Sequence, residues 1–249
     1  MLTRKLTSLQ HPIIKHLVKL RTEREYRQQQ QHVLVSGMNL IRELASERLF
    51  KTLLIQDGVP LQFPVNAESV FLVSYEMLKK VIGVPSPEPV AVEMAMPVLN
   101  FPEKTQRLLV LDSLSHPGNV GTLLRTALGL GWEGVFLTQG STDPYNEKAL
   151  RASKGAAFKL PWKQGSLQEL CATLEASKIP LYAADAGGKD VGTIQPPPAL
   201  ALALGNEAHG LSPAIQERAE ILAIPMSGSM ESLNVASAGA ILMYTLRPR

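Results

Sequence analysis

The sequence predicts an α/β protein in two parts: a small α/β domain, then a larger domain built on a mostly parallel sheet with helices on both faces. Three observations carry this. The chain has 249 residues, 45% of them apolar, enough for one large domain or two small ones with real cores. Five prolines, Pro85, Pro87, Pro89, Pro97 and Pro102, fall where neither a helix interior nor a central strand accepts them. Beyond them, short apolar runs alternate regularly with helix-like segments, the pattern of a covered parallel sheet.

Taken in order, the opening MLTRKLTSLQHPIIKHL lacks the apolar block and small-residue cleavage site of a secretory signal and reads as the start of a folded domain. VLV, TLLI and VFLV between Val33 and Val73 read as strands. The stretch GMNLIRELASERLF reads as a helix in which Leu40, Ile41, Leu44 and Leu49 recur at helical spacing. SYEMLKKVIG is a second helix with Ser74 as its N-cap, and PVAVEMAM a strand. This gives a first domain over 1–97, a linker over 98–105 and a second domain over 106–249. In the second, RLLVLD, GVFLT, IPLYAAD, ALALGN and ILAIP read as strands. GNVGTLLRTALGLG, EKALRAS, SLQELCATLEAS, PAIQERA and SLNVASAGAILMYTL read as helices.

Several function classes lose their support at this level. No apolar run approaches the roughly 20 residues of a bilayer crossing, so no membrane span is expected. The single cysteine, Cys171, makes no internal disulfide, and the five histidines have no metal-ligand spacing, so no metal is expected and a reducing cytoplasm is the natural compartment. There is no phosphate-binding loop, zinc-protease or serine-hydrolase motif. Gly129-Leu130-Gly131 and Gly187-Gly188 do not open a helix after a strand, as a dinucleotide fingerprint must, which removes the support for a nucleotide-dependent oxidoreductase. Residues 1–32 carry seven basic side chains against Glu23 and Glu25, within a net charge of +3 for the chain. That imbalance suits either a surface that meets a polyanion or a solvated helix face.

In α/β sheets ligands bind at the carboxyl ends of strands, and the suggestive polar residues lie there: Asn119, Asn206, Glu207, Ser232 and Asn234. They belong to three segments: His116-Pro-Gly-Asn119-Val-Gly-Thr-Leu-Leu-Arg125, Leu204-Gly-Asn-Glu207-Ala-His-Gly210-Leu, and Ile224-Pro-Met226 followed by Glu231-Ser232-Leu-Asn234-Val-Ala236. In order, spacing and content these resemble the three motifs of the SpoU/TrmH family, S-adenosylmethionine-dependent RNA ribose 2′-O-methyltransferases. The segment PYNEKALRASKGAAF is similar to the family's connecting segment. LTSLQHPIIKHLVKLR with VLVSGMNLIRE resembles the ribosomal-protein-L30e-like substrate-binding domain that many members carry.

The resemblance implies a sheet whose C-terminal section is threaded into a trefoil knot, a rare exception to ordinary topology, and a homodimer formed through this region. It implies a catalytic set of Asn119, Arg125, Glu207, Ser232 and Asn234, and a cofactor site around Leu204, Gly205, Asn206, Gly210, Ile224, Met226 and Leu233 that takes S-adenosylmethionine. The partner it implies is a structured RNA, ribosomal RNA or tRNA. Arg4, Lys5, Lys15, Lys19 and Arg21 are expected to contact it, with Arg151 and Lys154 near the catalytic pocket. Aromatic residues amount to 5%, which favours RNA read by shape over a stacking platform.

Arg125 follows Asn119 by six positions, about 120° around a regular helix, so a loop-like start at Pro117-Gly118 is expected to let the two converge. The family's matching arginine is proposed as a general base. A guanidinium resists deprotonation, and a bidentate grip on the target phosphate, with the proton passing to water, phosphate or Glu207, is the alternative. Glu207 can also orient Arg125 by an ion pair. Ser232 and Asn234 can bond the cofactor or cap the last helix, Ser232 being the better N-cap by type. Two positions depart from the family pattern: Ser36 in place of a glutamate, and His116 ahead of the first motif's proline. A non-catalytic RNA-binding homologue acting in ribosome assembly is the rival reading.

Overall fold

The computed structural model describes residues 3–228 and 232–247; Glu231 of the third motif lies outside them. Residues up to Pro97, together with Tyr145–Arg151, form one compact unit, and Val98–Pro144 with the chain from Ala152 onward form the other.

The first unit contains β1 (Thr3–Lys5), α1 (Pro12–Thr22), α2 (Arg24–Gln30), β2 (His32–Ser36), α3 (Met38–Ala45), β3 (Phe50–Gln56), β4 (Ala67–Val73), α4 (Tyr75–Ile82) and β5 (Val90–Ala95). Its sheet runs β1-β4-β3-β5-β2, with β5 antiparallel to both neighbours and the remaining pairs parallel. Pro12 opens α1, where a missing N–H costs nothing, and His11 Nδ1 accepts from the Ile13 amide at 3.3 Å. Ile14, Leu17 and Leu20 then form one apolar stripe that meets Met77, Leu78 and Val81 of α4. The expected capping of α4 is present: Ser74 accepts from the Met77 amide at 3.3 Å. The long helix read from Gly37 to Phe50 is shorter than expected. It ends at Ala45, Leu49 is 61% exposed, and Phe50 is drawn into β3 by a backbone bond to Asn66, so sheet pairing overrides the helical spacing of Leu49.

One polar cluster lies inside this unit. Glu93 on β5 is fully buried and accepts from His16 Nε2 at 2.9 Å and Thr52 Oγ1 at 2.7 Å, with Lys51 Nζ at 3.4 Å. Burial pushes its carboxyl up, but the bonds from His16 and Thr52 and the charges of His16 and Lys51 outweigh this and hold it below the ordinary 4.5.

The remaining elements are β6 (Arg107–Leu111), α5 (Pro117–Gly129), β7 (Gly134–Thr138), α6 (Glu147–Ser153), β8 (Trp162–Gly165), α7 (Leu167–Ser177), β9 (Leu181–Asp190), β10 (Leu200–Leu204), α8 (Pro213–Gln216), β11 (Glu220–Ala223) and α9 (Val235–Thr245). The sheet of the second unit runs β11-β9-β10-β6-β7-β8 and every pair is parallel. Alternate residues face opposite layers: Leu108, Val110, Ala201 and Ala203 pack with Leu170 of α7 and Ile215 of α8. Leu204 faces the other way, and a Cβ at Gly239 of α9 would fall 2.6 Å from it and 2.5 Å from Leu123 of α5. Glycine there lets α9 sit against both. The edge strand β8, WKQG, was not expected, because four residues of mixed polarity carry no alternation. Arg107, 2% exposed, donates to the Gln106, Pro197 and Pro198 carbonyls and so pins the triple-proline turn ahead of β10.

β9 also runs beyond its expected end at Asp185. Ala183 pairs with Ile221 and Lys189 with the very next residue, Leu222, so residues 184–188 bulge out of the ladder.

Candidate active site

The bulge of β9, the carboxyl ends of β10 and β11 and the start of α9 enclose a cavity of about 470 Å³, within the usual range for small-molecule sites. β10 ends in Leu204-Gly205, after which Asn206 to Gly210 form a tight loop closed by two backbone bonds, Asn206 N to Gly210 O at 2.8 Å and the reverse at 2.9 Å. A Cβ on Gly205 would lie 2.4 Å from the Gly210 carbonyl carbon, so only glycine permits this closure. Gly210 itself has φ +69, a conformation that suits glycine. Asn206 fixes the loop to its surroundings: its amide donates to the Ser113 carbonyl at 2.7 Å and its Oδ1 accepts from Ala208 and His209.

That loop delivers Glu207 to the start of α5. Its Oε1 accepts from Asn119 Nδ2 at 2.8 Å, and Asn119 Oδ1 in turn accepts from Asn234 Nδ2 at 3.2 Å. Asn234 caps α9, accepting from the Ala236 and Ser237 amides at 2.9 and 3.3 Å. A continuous chain of bonds therefore joins three strand ends through residues 88 and 115 positions apart. Partial burial pushes the Glu207 carboxyl up, while bonds from Asn119 and from the backbone of Glu207, Ser115 and His116 bring it below its ordinary value. It is a carboxylate at neutral pH.

All seven residues expected at the cofactor, Leu204, Gly205, Asn206, Gly210, Ile224, Met226 and Leu233, line the cavity, as do Glu207, Ser232 and Asn234. Asn119 joins through its bonds to Glu207 and Asn234. The N-cap is Asn234 rather than Ser232, so Asn234 both caps α9 and lines the cavity. The structure does not bring Arg125 to this group. α5 is helical from Pro117, without the loop-like start that would swing the two side chains together. Asn119 and Leu123 share the face turned toward α9, and Arg125 stands about 160° from Leu123, exposed and without a hydrogen bond or ion pair among the described residues.

The basic residues divide. Arg4 and Lys5 lie exposed on β1, Lys5 paired with Asp57 at 2.6 Å. Lys15 and Lys19 are exposed on α1, with Lys19 Nζ 5.3 Å from the centre of the Tyr26 ring. Arg21 is held 3.8 Å from Glu147, and Arg151 2.6 Å from the same carboxylate. Arg151 thus lies in the first unit and does not line the cavity; Lys154, also outside the lining, is exposed with φ +49. Of the departures, Ser36 ends β2, and His116 stands at the N-cap of α5 without capping it through its side chain.

The one charged lining residue among the described residues that sequence reasoning missed is Asp185, exposed on the β9 bulge with Ala184 and Ala186 beside it; the other missed lining residues, Leu222, Val235, Ala238 and Leu242, are apolar. Among the described residues the cavity wall carries two carboxylates, no lysine, arginine or histidine, and an apolar section of Leu222, Ile224, Met226, Leu233 and Leu242. Such a wall suits a flat base joined to a cation, which fits S-adenosylmethionine. Among the described residues, no acidic, histidine or cysteine cluster could hold a metal, and no helix is long and apolar enough to cross a membrane.

Residues 106–244 match the SpoU rRNA Methylase family. Over 98% of its length the chain is 31% identical to the 23S rRNA (guanosine(2553)-2′-O)-methyltransferase RlmP of Bacillus subtilis, 99% of which is covered. A TrmH-family RNA methyltransferase structure from Porphyromonas gingivalis superposes with a TM-score of 0.82 at 33% identity, covering 97% of this chain and 98% of the other. The SpoU methyltransferase AviRb of Streptomyces viridochromogenes, solved with AdoMet, gives 0.83 at 26% identity, covering 95% and 97%.

Proposed function

The chain belongs to the SpoU rRNA methylase family, and from that premise we propose that it transfers the methyl group of S-adenosylmethionine to a ribose 2′-hydroxyl of ribosomal RNA in the cytoplasm. The observation that carries this reading is the Glu207–Asn119–Asn234 chain of bonds at the rim of a cavity fit for that cofactor. When bound, the cofactor supplies a methyl group already activated by its sulfonium. What the protein adds is alignment and proton management, each worth several kcal/mol in such reactions.

Gly205 and the backbone around Ile224, Met226 and Leu233 would hold the nucleoside of the cofactor, and Ser232 and Asn234 would supply hydrogen bonds to it, with Asn119 fixing the amide of Asn234. Glu207 is a poor proton acceptor, because its carboxyl is held low by Asn119 and by backbone N–H groups at the start of α5. It serves as a fixed negative charge, and the proton of the attacking hydroxyl leaves to water or phosphate. Arg125 grips the phosphate of the target nucleotide. Because it faces away from its own chain's cavity, it acts on the cavity of a second copy, in a homodimer formed through the α5–α9 face where Leu128, Ile241 and Tyr244 are exposed. The C-terminal section that carries the second and third motifs is proposed to be threaded into the family's trefoil knot. On the first unit, Arg4, Lys5, Lys15 and Lys19 follow the RNA backbone, setting register rather than reading sequence.

The test is methyl transfer from labelled cofactor to ribosomal RNA taken from cells lacking the protein, with the product digested to nucleosides. A 2′-O-methylnucleoside is expected; label on a base, or none, overturns the reading. Mixing Arg125→Ala with Asn234→Ala chains is expected to restore part of the activity each lacks alone, and failure to restore it places Arg125 within its own chain's site.

A further inference from the structure

The β9 bulge carries a polar part of the cavity wall that neither the motifs nor the proposed chemistry uses. Residues 184–188 leave the β9–β11 ladder between two consecutive residues of β11, a large irregularity of the kind that re-aims side chains beside active sites. Two interactions hold its shape. Asp185 Oδ1 accepts from the Gly187 amide at 3.0 Å, and Gly188 presses against the backbone of Ile221 and Leu222, where a Cβ would fall 2.6 Å away. The glycine pair that fails as a dinucleotide turn is therefore the frame of the bulge. What it presents to the cavity is a carboxylate, whose Oδ2 takes no hydrogen bond among the described residues.

The neighbouring strand is β10, which is followed at once by Gly205, where a nucleoside can approach backbone. In α/β nucleotide sites, a carboxylate near a glycine-bearing strand end accepts from the ribose hydroxyls. Glu207, the other carboxylate of the wall, is already bonded to Asn119 and backbone amides. Resting on the methyltransferase reading, we propose that Asp185 accepts hydrogen bonds from the ribose diol of the methyl donor and makes the cavity selective for an unmodified ribonucleoside.

Calorimetry on the full chain tests this with S-adenosylhomocysteine, its 2′-deoxy and 3′-deoxy analogues, and 5′-methylthioadenosine. Against the wild type, at least one deoxy analogue is expected to bind about 10- to 100-fold more weakly than the parent, the usual worth of a hydrogen bond to a charged group. Asp185→Ala is expected to lose a similar factor for the parent and for 5′-methylthioadenosine, and to bind parent and deoxy analogue alike. Asp185→Asn keeps an acceptor for Gly187 and controls for collapse of the bulge; it is expected to recover part of the discrimination. Wild type indifferent to both hydroxyls, or Asp185→Ala discriminating as well as wild type, overturns the proposal. So does a loss confined to ligands bearing the amino-acid group, which would place the carboxylate on the ammonium. Failure of the wild type to bind S-adenosylhomocysteine at all would instead overturn the methyltransferase reading.

Discussion

Glu93 in the first unit and Glu207 in the second are both held below the ordinary carboxyl value, yet by partners of opposite consequence. Glu93 sits inside a sheet, fully buried, with His16, Thr52 and Lys51 around its oxygens. Glu207 sits on a loop after a strand, anchored by Asn119 and backbone amides, with an open cavity beside it. The first carboxylate is saturated by protein and holds a fold together. The second is fixed in place but faces an open cavity. The same residue type, lowered in pKa in both places, is enclosed where its surroundings close over it and open to a cavity where a strand end leaves room.

The strongest way to break this contrast is to remove each group in turn. Glu93→Ala leaves His16 and Lys51 without their anion and is expected to cost about 3–5 kcal/mol in urea unfolding, with S-adenosylhomocysteine affinity unchanged; weaker methyl transfer at full stability would contradict it. Glu207→Gln should lower the transfer rate about 100-fold, the scale of a misplaced reacting group, while stability shifts by less than about 0.5 kcal/mol.

Acid sharpens the comparison. Because the folded-state pKa of Glu93 is depressed, its contribution is present in full above the ordinary carboxyl value of 4.5 and is lost as pH falls through the folded value. Wild type should therefore lose more stability than Glu93→Gln between pH 5 and about pH 3, and equal losses would show that the carboxylate contributes nothing. Asn234 separates its two roles more gently. Asn234→Ala should cost about 1 kcal/mol of capping along with activity, whereas Asn234→Asp keeps the cap, lacks the amide donor to Asn119, and should lose activity alone. Smallest of all, Lys5→Ala removes an exposed pair with Asp57 worth about 0.2–1 kcal/mol, and should reduce the salt dependence of RNA binding by about one phosphate contact.

The strand ends were legible because strand alternation is a local signal, and the cavity lining at Leu204, Gly205, Asn206, Gly210, Ile224, Met226 and Leu233 because the motifs around those residues resemble the family's. What escaped depends on distant partners. The bulge that turns Asp185 inward exists because β11 pairs with both sides of it, and nothing in LYAADAGGKD announces that. The convergence expected of Arg125 failed because Pro117 starts the helix at once. Arg21 and Arg151, read as RNA contacts, share Glu147, a partner far from Arg21 in sequence. Burial of Glu93 follows from α1 covering the sheet, which no hydrophobic pattern encodes.

Gly239 touches no ligand, yet it bears on how much room the methyl donor has. Leu204 forms part of the cavity wall on one side and meets α9 at Gly239 on the other. A bulkier residue in that helix would push the wall forward, so the chamber's size is set from behind, and a search for variants that accept altered donors has its natural starting point outside the chamber.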